Sequence, residues 1–155
     1  MHELKVSGLR KCYGDVPAVA DFSYTFPPGK ITTIVGPSGS GKSSTLLMIA
    51  GLLRQDAGSI DLDGQDVSAL DPERRDMGMV FQNYALFPHL NVRENVEFGL
   101  RVRGVPRPER RRRAEEVLHL VQIQSLSERR VDRISGGEQQ RVALARALAI
   151  RPKVL

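Results

Sequence analysis

The sequence is short of several features, and each shortage narrows what this chain of 155 residues can be. It holds a single cysteine, Cys12, which excludes an internal disulfide and favours a reducing compartment. No apolar run approaches the roughly 20 residues that a membrane-spanning helix needs. The first residues, Met1–Lys5, lack the apolar stretch of a secretory signal peptide. We therefore expect a cytoplasmic protein whose contact with any membrane is indirect.

The composition that remains is typical of one folded core, with 41% hydrophobic and 26% charged residues. The net charge is +5, and much of the excess lies in the run Arg107–Arg113. A basic run can bind nucleic acid or an anionic lipid surface, or it can be the solvated face of a helix. Arg111 and Arg112 stand four residues before Glu115 and Glu116, a spacing that pairs charges within a helix. This spacing favours the solvated helix face.

The hydrophobic pattern predicts strands in the first half of the chain and helices in the second. Ile31–Val35 is β-branched and apolar along its length, which is typical of a strand buried on both faces. The other predicted strands contain Leu4–Val6, Phe22–Phe26, Ile60–Leu62 and Met77–Phe81, with turns at Pro27–Gly29 and Asp63–Gly64. Helices are predicted over 43–50, 91–101, 108–122 and 138–150, and Gly51 and Pro152 end the first and the last of them.

The segment Gly36–Ser43 fits the phosphate-binding pattern G-x-x-x-x-G-K-[ST] at every fixed position. A predicted strand precedes it and a predicted helix follows it, as this pattern requires. The glycines let successive backbone N–H groups point at one anion, and the helix adds its positive end. Lys42 supplies a mobile charge for the β- and γ-phosphates, and the Ser43 hydroxyl is a hard oxygen ligand suited to Mg²⁺. The loop predicts binding of a nucleoside triphosphate, ATP, without naming a reaction.

A second candidate site is Ser135–Glu138, directly before a predicted helix. Its spacing suits a capping box, in which Ser135 and Glu138 bond each other's backbone, and it equally suits an anion site at a helix N-terminus. Two further residues bear on this choice. Tyr13, expected on a loop, could stack on a purine ring, and Gln82, at the end of a predicted strand, could order a water and a metal ion.

Taken in order along the chain, these features resemble the ATP-binding cassette (ABC) ATPases. Gly36–Ser43 is similar to the Walker A loop of that family, Tyr13 to its adenine-stacking aromatic, and Gln82 to its Q-loop glutamine. The run Ile134–Arg141 resembles the signature motif. It departs from the commonest form, Leu-Ser-Gly-Gly-Gln, by having isoleucine first and glutamate at 138.

The resemblance implies ATP and Mg²⁺ as cofactors. Two residues are predicted to be catalytic, Lys42 and Gln82, and two to contact the metal, Ser43 and Gln82. The predicted nucleotide contacts are Tyr13, Gly36, Pro37, Ser38, Gly39, Ser40, Gly41, Lys42, Ser43, Ser44, Ser135, Gly136, Gly137 and Glu138. In the family, two copies close head to tail, with each ATP held between the Walker A loop of one and the signature of the other.

Within that family, the run Val80–Leu90 is similar to bacterial importers of polyamines, sugars and ferric iron. Its apolar part, Tyr84–Pro88, would lie beside the groove that receives a short helix of the membrane permease. The alternative is that Leu86 and Phe87 are only core residues. The implied partners are permease subunits, a second copy of the ATPase and, indirectly, a solute-binding protein. No nucleic acid is expected, and the implied location is the inner face of the cell membrane.

The implied fold class is α/β, with a P-loop NTPase core, a β-rich N-terminal edge and an inserted helical subdomain. Residues 1–155 are expected to form one incomplete nucleotide-binding domain, divided into a core and β subdomain (1–83 and 135–155) and a helical subdomain (84–134). In the family, the strand with the Walker B aspartate, followed by the catalytic glutamate, would begin near Leu155, so we expect little hydrolysis by this chain alone. Two alternatives stay open: an ABC ATPase that acts on nucleic acid or the ribosome, and an ATP-binding module without catalysis.

Overall fold

The computed structural model describes residues 2–155, which fall into two compact units. The first unit ends at Met77 and includes Val154; the second comprises Gly78–Lys153 and Leu155. The predicted subdomain boundaries at 84 and 135 stay a prediction. Helices and strands occur together, consistent with the predicted α/β class. No helix among the described residues is long and apolar enough to cross a membrane.

The first unit is built on a four-stranded antiparallel sheet in the order β2-β1-β3-β4. Its strands are β1 (Leu4–Tyr13), β2 (Val16–Phe26), β3 (Ala57–Leu62) and β4 (Gln65–Asp66). The alternating apolar residues of β1 and β3 enter one core, as their period of two predicts. In the register, Leu4 faces Leu62 and Val6 faces Ile60. The Asp63–Gly64 turn joins β3 to β4, as predicted.

Helix α1 (Lys42–Ile49) completes the first unit and buries Thr45, Met48 and Ile49. Met48 and Ile49 join the apolar cluster formed by the sheet. The helix ends as predicted, because Gly51 has a φ of 79° and donates its N–H to the Met48 carbonyl at 3.0 Å. A short 3-10 helix, Pro72–Arg74, follows the sheet.

The second unit is helical and consists of α2 (Val92–Val102), α3 (Arg107–Leu120) and α4 (Gly136–Ala149), with 3-10 turns at Gln124–Leu126 and Val131–Arg133. All three helices match the predicted ones within two residues at every end. Val96, Leu100, Leu118 and Val142 are among the side chains that form its closed apolar core. Helix α2 begins with a capping box between Asn91 and Glu94.

Two strand predictions are wrong. Ile31–Val35 is not a strand, and Ile31 and Val35 are 98% and 86% exposed. Met77–Phe81 is also irregular, apart from one isolated parallel bridge between Met77 and Val154. A buried strand needs neighbours that pair with its backbone, and no other described segment pairs with 31–35. Strand propensity alone therefore does not make these segments strands.

Candidate functional site

The phosphate loop lies exposed in the first unit, directly before α1. Gly39 and Gly41 have φ values of 81° and 83°, the left-handed region that favours glycine. Gly41 is the N-cap residue of α1, and no side chain caps this helix end. Among residues 2–155, no side chain caps the first backbone N–H groups of α1, and they are the groups that an anion can bind.

Gly41 is fixed by its surroundings as well as by its φ. A Cβ at this position would lie 2.2 Å from the Ala18 carbonyl oxygen and 3.1 Å from a Val19 methyl group. Both of these residues belong to β2. The loop is thus seated against the sheet at the point where α1 begins, and only glycine fits there.

The Lys42 side chain folds back along the loop. Its amine donates to the carbonyls of Gly36 and Pro37 at 2.8 and 2.6 Å, and to the Ser40 hydroxyl at 3.2 Å. These three acceptors are neutral, so no carboxylate within the loop competes for the amine. An anionic phosphate oxygen makes a stronger, charge-assisted hydrogen bond than a carbonyl does. The arrangement therefore holds a positive charge ready for a phosphate.

Ser43 and Ser44 occupy the first turn of α1, Ser43 exposed and Ser44 half-buried. The Ser43 hydroxyl makes no hydrogen bond to any described residue, which leaves its oxygen available as a ligand. The described residues contain no group of three His, Cys, Asp or Glu side chains that could hold a metal alone. This donor set fits Mg²⁺, which binds few protein ligands and keeps waters and phosphate oxygens for the rest.

Arg75, which the sequence did not single out, hydrogen-bonds the C-terminus of α1. Its guanidinium donates to the carbonyls of Met48 and Ile49 at 2.9 and 3.0 Å, and to those of Ser68 and Leu70 at 2.8 and 2.9 Å. Burial lowers the pKa of Arg75, whose side chain is 3% exposed. A cation at the negative end of a helix satisfies its last carbonyls and its dipole. Nothing in the sequence separates Arg75 from its exposed neighbour Arg74.

Tyr13 is the last residue of β1 rather than a loop residue, and the turn at Gly14 follows it. Tyr13 is 56% exposed, with the Lys11 amine 5.9 Å from the ring centre. Asp56 holds Lys11 through a 2.8 Å ion pair and accepts the Cys12 N–H at 2.7 Å. These two bonds lower the pKa of Asp56. The strand end thus presents an exposed aromatic ring next to a backbone that Asp56 anchors at Cys12.

The Ser135–Glu138 segment forms the predicted capping box at the start of α4. The Glu138 carboxylate accepts from the Ser135 N–H at 2.7 Å and from its hydroxyl at 2.8 Å. The Ser135 oxygen in turn accepts the Glu138 N–H at 3.4 Å. The bonds from Ser135 lower the pKa of Glu138. Both residues thus have a structural role.

The two glycines between them have no such role. A Cβ at Gly136 or Gly137 would meet no atom within 4 Å outside the helix's own backbone, and neither residue has a positive φ. Both are exposed. The fold of the described residues would accept a side chain at either position, so the capping box does not explain the glycines.

Gln82 lies exposed in the second unit, in the turn that precedes Tyr84–Pro88. Tyr84 and Ala85 both have left-handed backbones, with φ values of 61° and 47°. Non-glycine residues in this region cost about 1–2 kcal/mol each, so two in succession need support from their surroundings. Leu86 packs partly on the helical core, and Phe87 is half-buried. The core interpretation of this run therefore holds for Leu86, while Tyr84–Pro88 as a whole stays a candidate docking surface.

The basic run lies entirely on α3 and is largely paired within it. Glu109 pairs with both Arg112 and Arg113, at 2.8 and 2.7 Å. The pairs predicted from spacing are also present, Arg111 with Glu115 at 3.1 Å and Arg112 with Glu116. The prediction of a helix face with internally answered charge is confirmed.

The candidate residues therefore form two groups, each within one unit. The first unit holds Tyr13 and the phosphate loop with Ser43 and Ser44; the second holds Gln82, the Tyr84–Pro88 run and the Ser135–Glu138 segment.

Comparison with known proteins identifies the family of the chain. The profile of the ABC transporter family matches residues 19–155. The chain is 47% identical to the sulfate/thiosulfate import ATP-binding protein of Synechocystis sp. over 97% of its length and 42% of that protein. It is 45% identical to the Fe(3+) ions import ATP-binding protein of Escherichia coli, over 98% of the chain and 44% of that protein. It is also 45% identical to the spermidine/putrescine import ATP-binding protein of Haemophilus influenzae, over 98% of the chain and 41% of that protein. The chain thus spans less than half the length of these relatives.

Proposed function

Because this chain belongs to the ABC transporter family, whose P-loop NTPase core confirms the predicted fold class, we propose that it binds ATP for a bacterial solute importer. In this proposal, ATP binding and hydrolysis by the assembled protein drive transport through a membrane permease. The observation that carries the proposal is the start of α1: a helix end without a side-chain cap, with the Lys42 amine held on neutral acceptors. The names of the relatives, all import ATP-binding proteins, support the import direction.

The phosphate loop would bind the triphosphate through its backbone N–H groups and the Lys42 amine. The Ser43 hydroxyl would hold Mg²⁺, an ion that would supply charge neutralisation at the triphosphate. Tyr13 would stack its exposed ring on the adenine, a contact that needs the flat apolar face this strand end provides.

A second copy of the chain would complete the site. Ser135 and Gly137 would donate to the γ-phosphate held by the other copy, with Gly136 and Glu138 beside them. The open space around Gly136 and Gly137 supports this role, because a glycine that the fold does not need is useful where another backbone or a ligand must approach closely.

The proposed partners are the permease at the Tyr84–Pro88 surface and, through the permease, a solute-binding protein, at the inner face of the membrane. The internal ion pairs of α3 argue against an ATPase that acts on nucleic acid, because paired arginines are less available to phosphates.

Two side chains are proposed to be catalytic. Lys42 would act on the γ-phosphate, and Gln82 would act on the attacking water.

The direct test is Mg-ATP affinity, measured by calorimetric titration of the wild-type protein and of Lys42→Ala. We expect affinity to fall at least about tenfold, because one charge-assisted hydrogen bond contributes about 1.5–3 kcal/mol. Lys5→Ala, which removes the same charge from β1, is the matched control and should bind as the wild type does. Equal affinity of Lys42→Ala and Lys5→Ala would refute the proposed site.

A further inference from the structure

The left-handed turn at Tyr84 and Ala85 is held by one side chain of α4. The Arg146 guanidinium donates to the Tyr84 carbonyl at 2.9 Å and to the Ala85 carbonyl at 2.6 Å. It also lies over the Phe87 ring, 5.5 Å from the ring centre. A planar guanidinium carries five N–H donors in a fixed fork and also stacks on aromatic faces, which suits it to two adjacent carbonyls and a ring at once.

A second side chain holds the residues that follow the turn. Asn95 of α2 is fully buried, and its amide oxygen accepts the Phe87 N–H at 2.9 Å. Its amide nitrogen donates to the carbonyls of Phe87, Leu90 and Asn91 at 3.2, 3.4 and 3.0 Å. The Phe87 ring also packs on Phe98 at 4.2 Å between centres. The segment is therefore fixed by α2 as well as by α4.

Arg146 is not explained by charge pairing. No carboxylate contacts it among the described residues; its contacts are the two carbonyls and the ring. Arg146 is half-buried, and partial burial of an arginine without a counter-ion is costly unless its hydrogen bonds compensate. Here those bonds go to Tyr84 and Ala85, the two consecutive residues of this turn with left-handed backbones.

Arg146 stands on the helix that begins at the signature segment. Helix α4 is continuous from Gly136 to Ala149, so its N-cap Ser135 and its residue Arg146 are joined by unbroken helix. At 1.5 Å per residue, they are about 16 Å apart. A displacement of the signature end of α4 would therefore be carried to the Tyr84–Ala85 carbonyls.

We propose that Arg146 is a positioning residue that joins α4 to the Tyr84–Pro88 surface, so that the signature segment and the docking surface move as one body. The docking part rests on the function proposed above. The contact between Arg146 and the turn does not rest on that function. The positioning role and the docking role can therefore be tested, and refuted, separately.

The first arm of the test measures backbone hydrogen exchange by mass spectrometry in the wild-type protein and in Arg146→Gln. We expect peptides covering residues 84–90 to exchange about tenfold faster in the variant, with no change in peptides of α1. Arg111→Gln, which removes the same charge from an exposed site on α3, is the control and should match the wild type. Unchanged exchange at 84–90 in Arg146→Gln would overturn the proposal.

A rescue variant separates positioning from a general loss of stability. Ala85→Gly places at φ 47° the residue that adopts this region without strain, so it should restore slow exchange in the Arg146→Gln background. A role of Arg146 in holding the helical core alone would not be rescued by a glycine in the turn. Absence of any rescue would therefore count against the proposal.

The second arm uses the full-length protein assembled with its permease in lipid vesicles. Arg146→Gln should lower permease-coupled ATP turnover about tenfold while ATP affinity stays within about twofold, and Ala85→Gly should recover part of the loss. Normal coupling in Arg146→Gln, despite faster exchange at 84–90, would overturn the docking role. Failure of the wild-type protein to bind ATP would instead refute the proposed function.

Discussion

The N-termini of α1 and α4 are both candidate phosphate sites, and the structure builds them in opposite ways. Helix α1 has no side-chain cap, and it begins at Gly41, where the adjacent strand β2 leaves no room for a Cβ. Helix α4 is capped by Ser135 and Glu138, and its two glycines touch nothing. The first end leaves its backbone donors for a ligand and is shaped by its own unit. The second is stabilised by its own capping box, and no contact among the described residues requires its glycines.

The largest expected difference between the two helix ends appears when one methyl group is added to a glycine of each. Gly41→Ala would place its Cβ 2.2 Å from the Ala18 carbonyl in a left-handed backbone. We expect a loss of about 2–4 kcal/mol in the free energy of unfolding and no measurable ATP binding. Chemical denaturation and nucleotide titration measure the two effects.

Gly137→Ala is the matched variant in α4. It should fold as well as the wild type or gain up to about 1 kcal/mol, because alanine is the better helix former. A loss of stability as large as that of Gly41→Ala would show that the contrast between the two glycines is wrong.

A smaller effect is expected from removing one hydroxyl at each helix. Ser135→Ala should lower the free energy of unfolding by about 1 kcal/mol, since it removes an N-cap. Ser43→Ala removes no bond to any described residue and should change stability by less than about 0.5 kcal/mol. Thermal and denaturant unfolding provide the comparison, and equal losses in the two variants would contradict it.

The smallest expected effect is the pH dependence of the α4 cap. The pKa of Glu138 is lower than its ordinary 4.5 in the folded protein, because Ser135 donates to the carboxylate. Its contribution to stability is therefore complete above about pH 4.5 and is lost as the pH falls through the folded pKa. Glu138→Gln keeps the capping geometry without the charge, so its unfolding free energy should fall less over this range than that of the wild type. Parallel acid-dependence curves would contradict the prediction.

The sequence predicted the elements whose signals are local. The helices of the second unit follow from apolar spacing and caps, and the Ser135–Glu138 box follows from its spacing alone. The β3–β4 hairpin follows from Asp63–Gly64. For the phosphate loop, the pattern predicted the helix that follows it and the need for glycine at 41.

The sequence could not predict what depends on distant partners. Ile31–Val35 has the composition of a buried strand, yet strand formation depends on neighbours that the run itself does not specify. The burial of Arg75 and the hold of Arg146 on a strained turn are tertiary facts, since arginine looks the same in sequence whether it is exposed or buried. The left-handed backbones at Tyr84 and Ala85 could not be predicted, because neither position is a glycine.

The open space around Gly136 and Gly137 also bears on how this protein would be redesigned. A designer who optimised side chains on this backbone alone would replace both glycines, because a better helix former fits each position at no steric cost. The redesigned chain would be expected to fold and to lose whatever approaches α4 closely. At such positions the sequence that folds best differs from the natural sequence. We expect these positions to make contacts with a ligand or another chain.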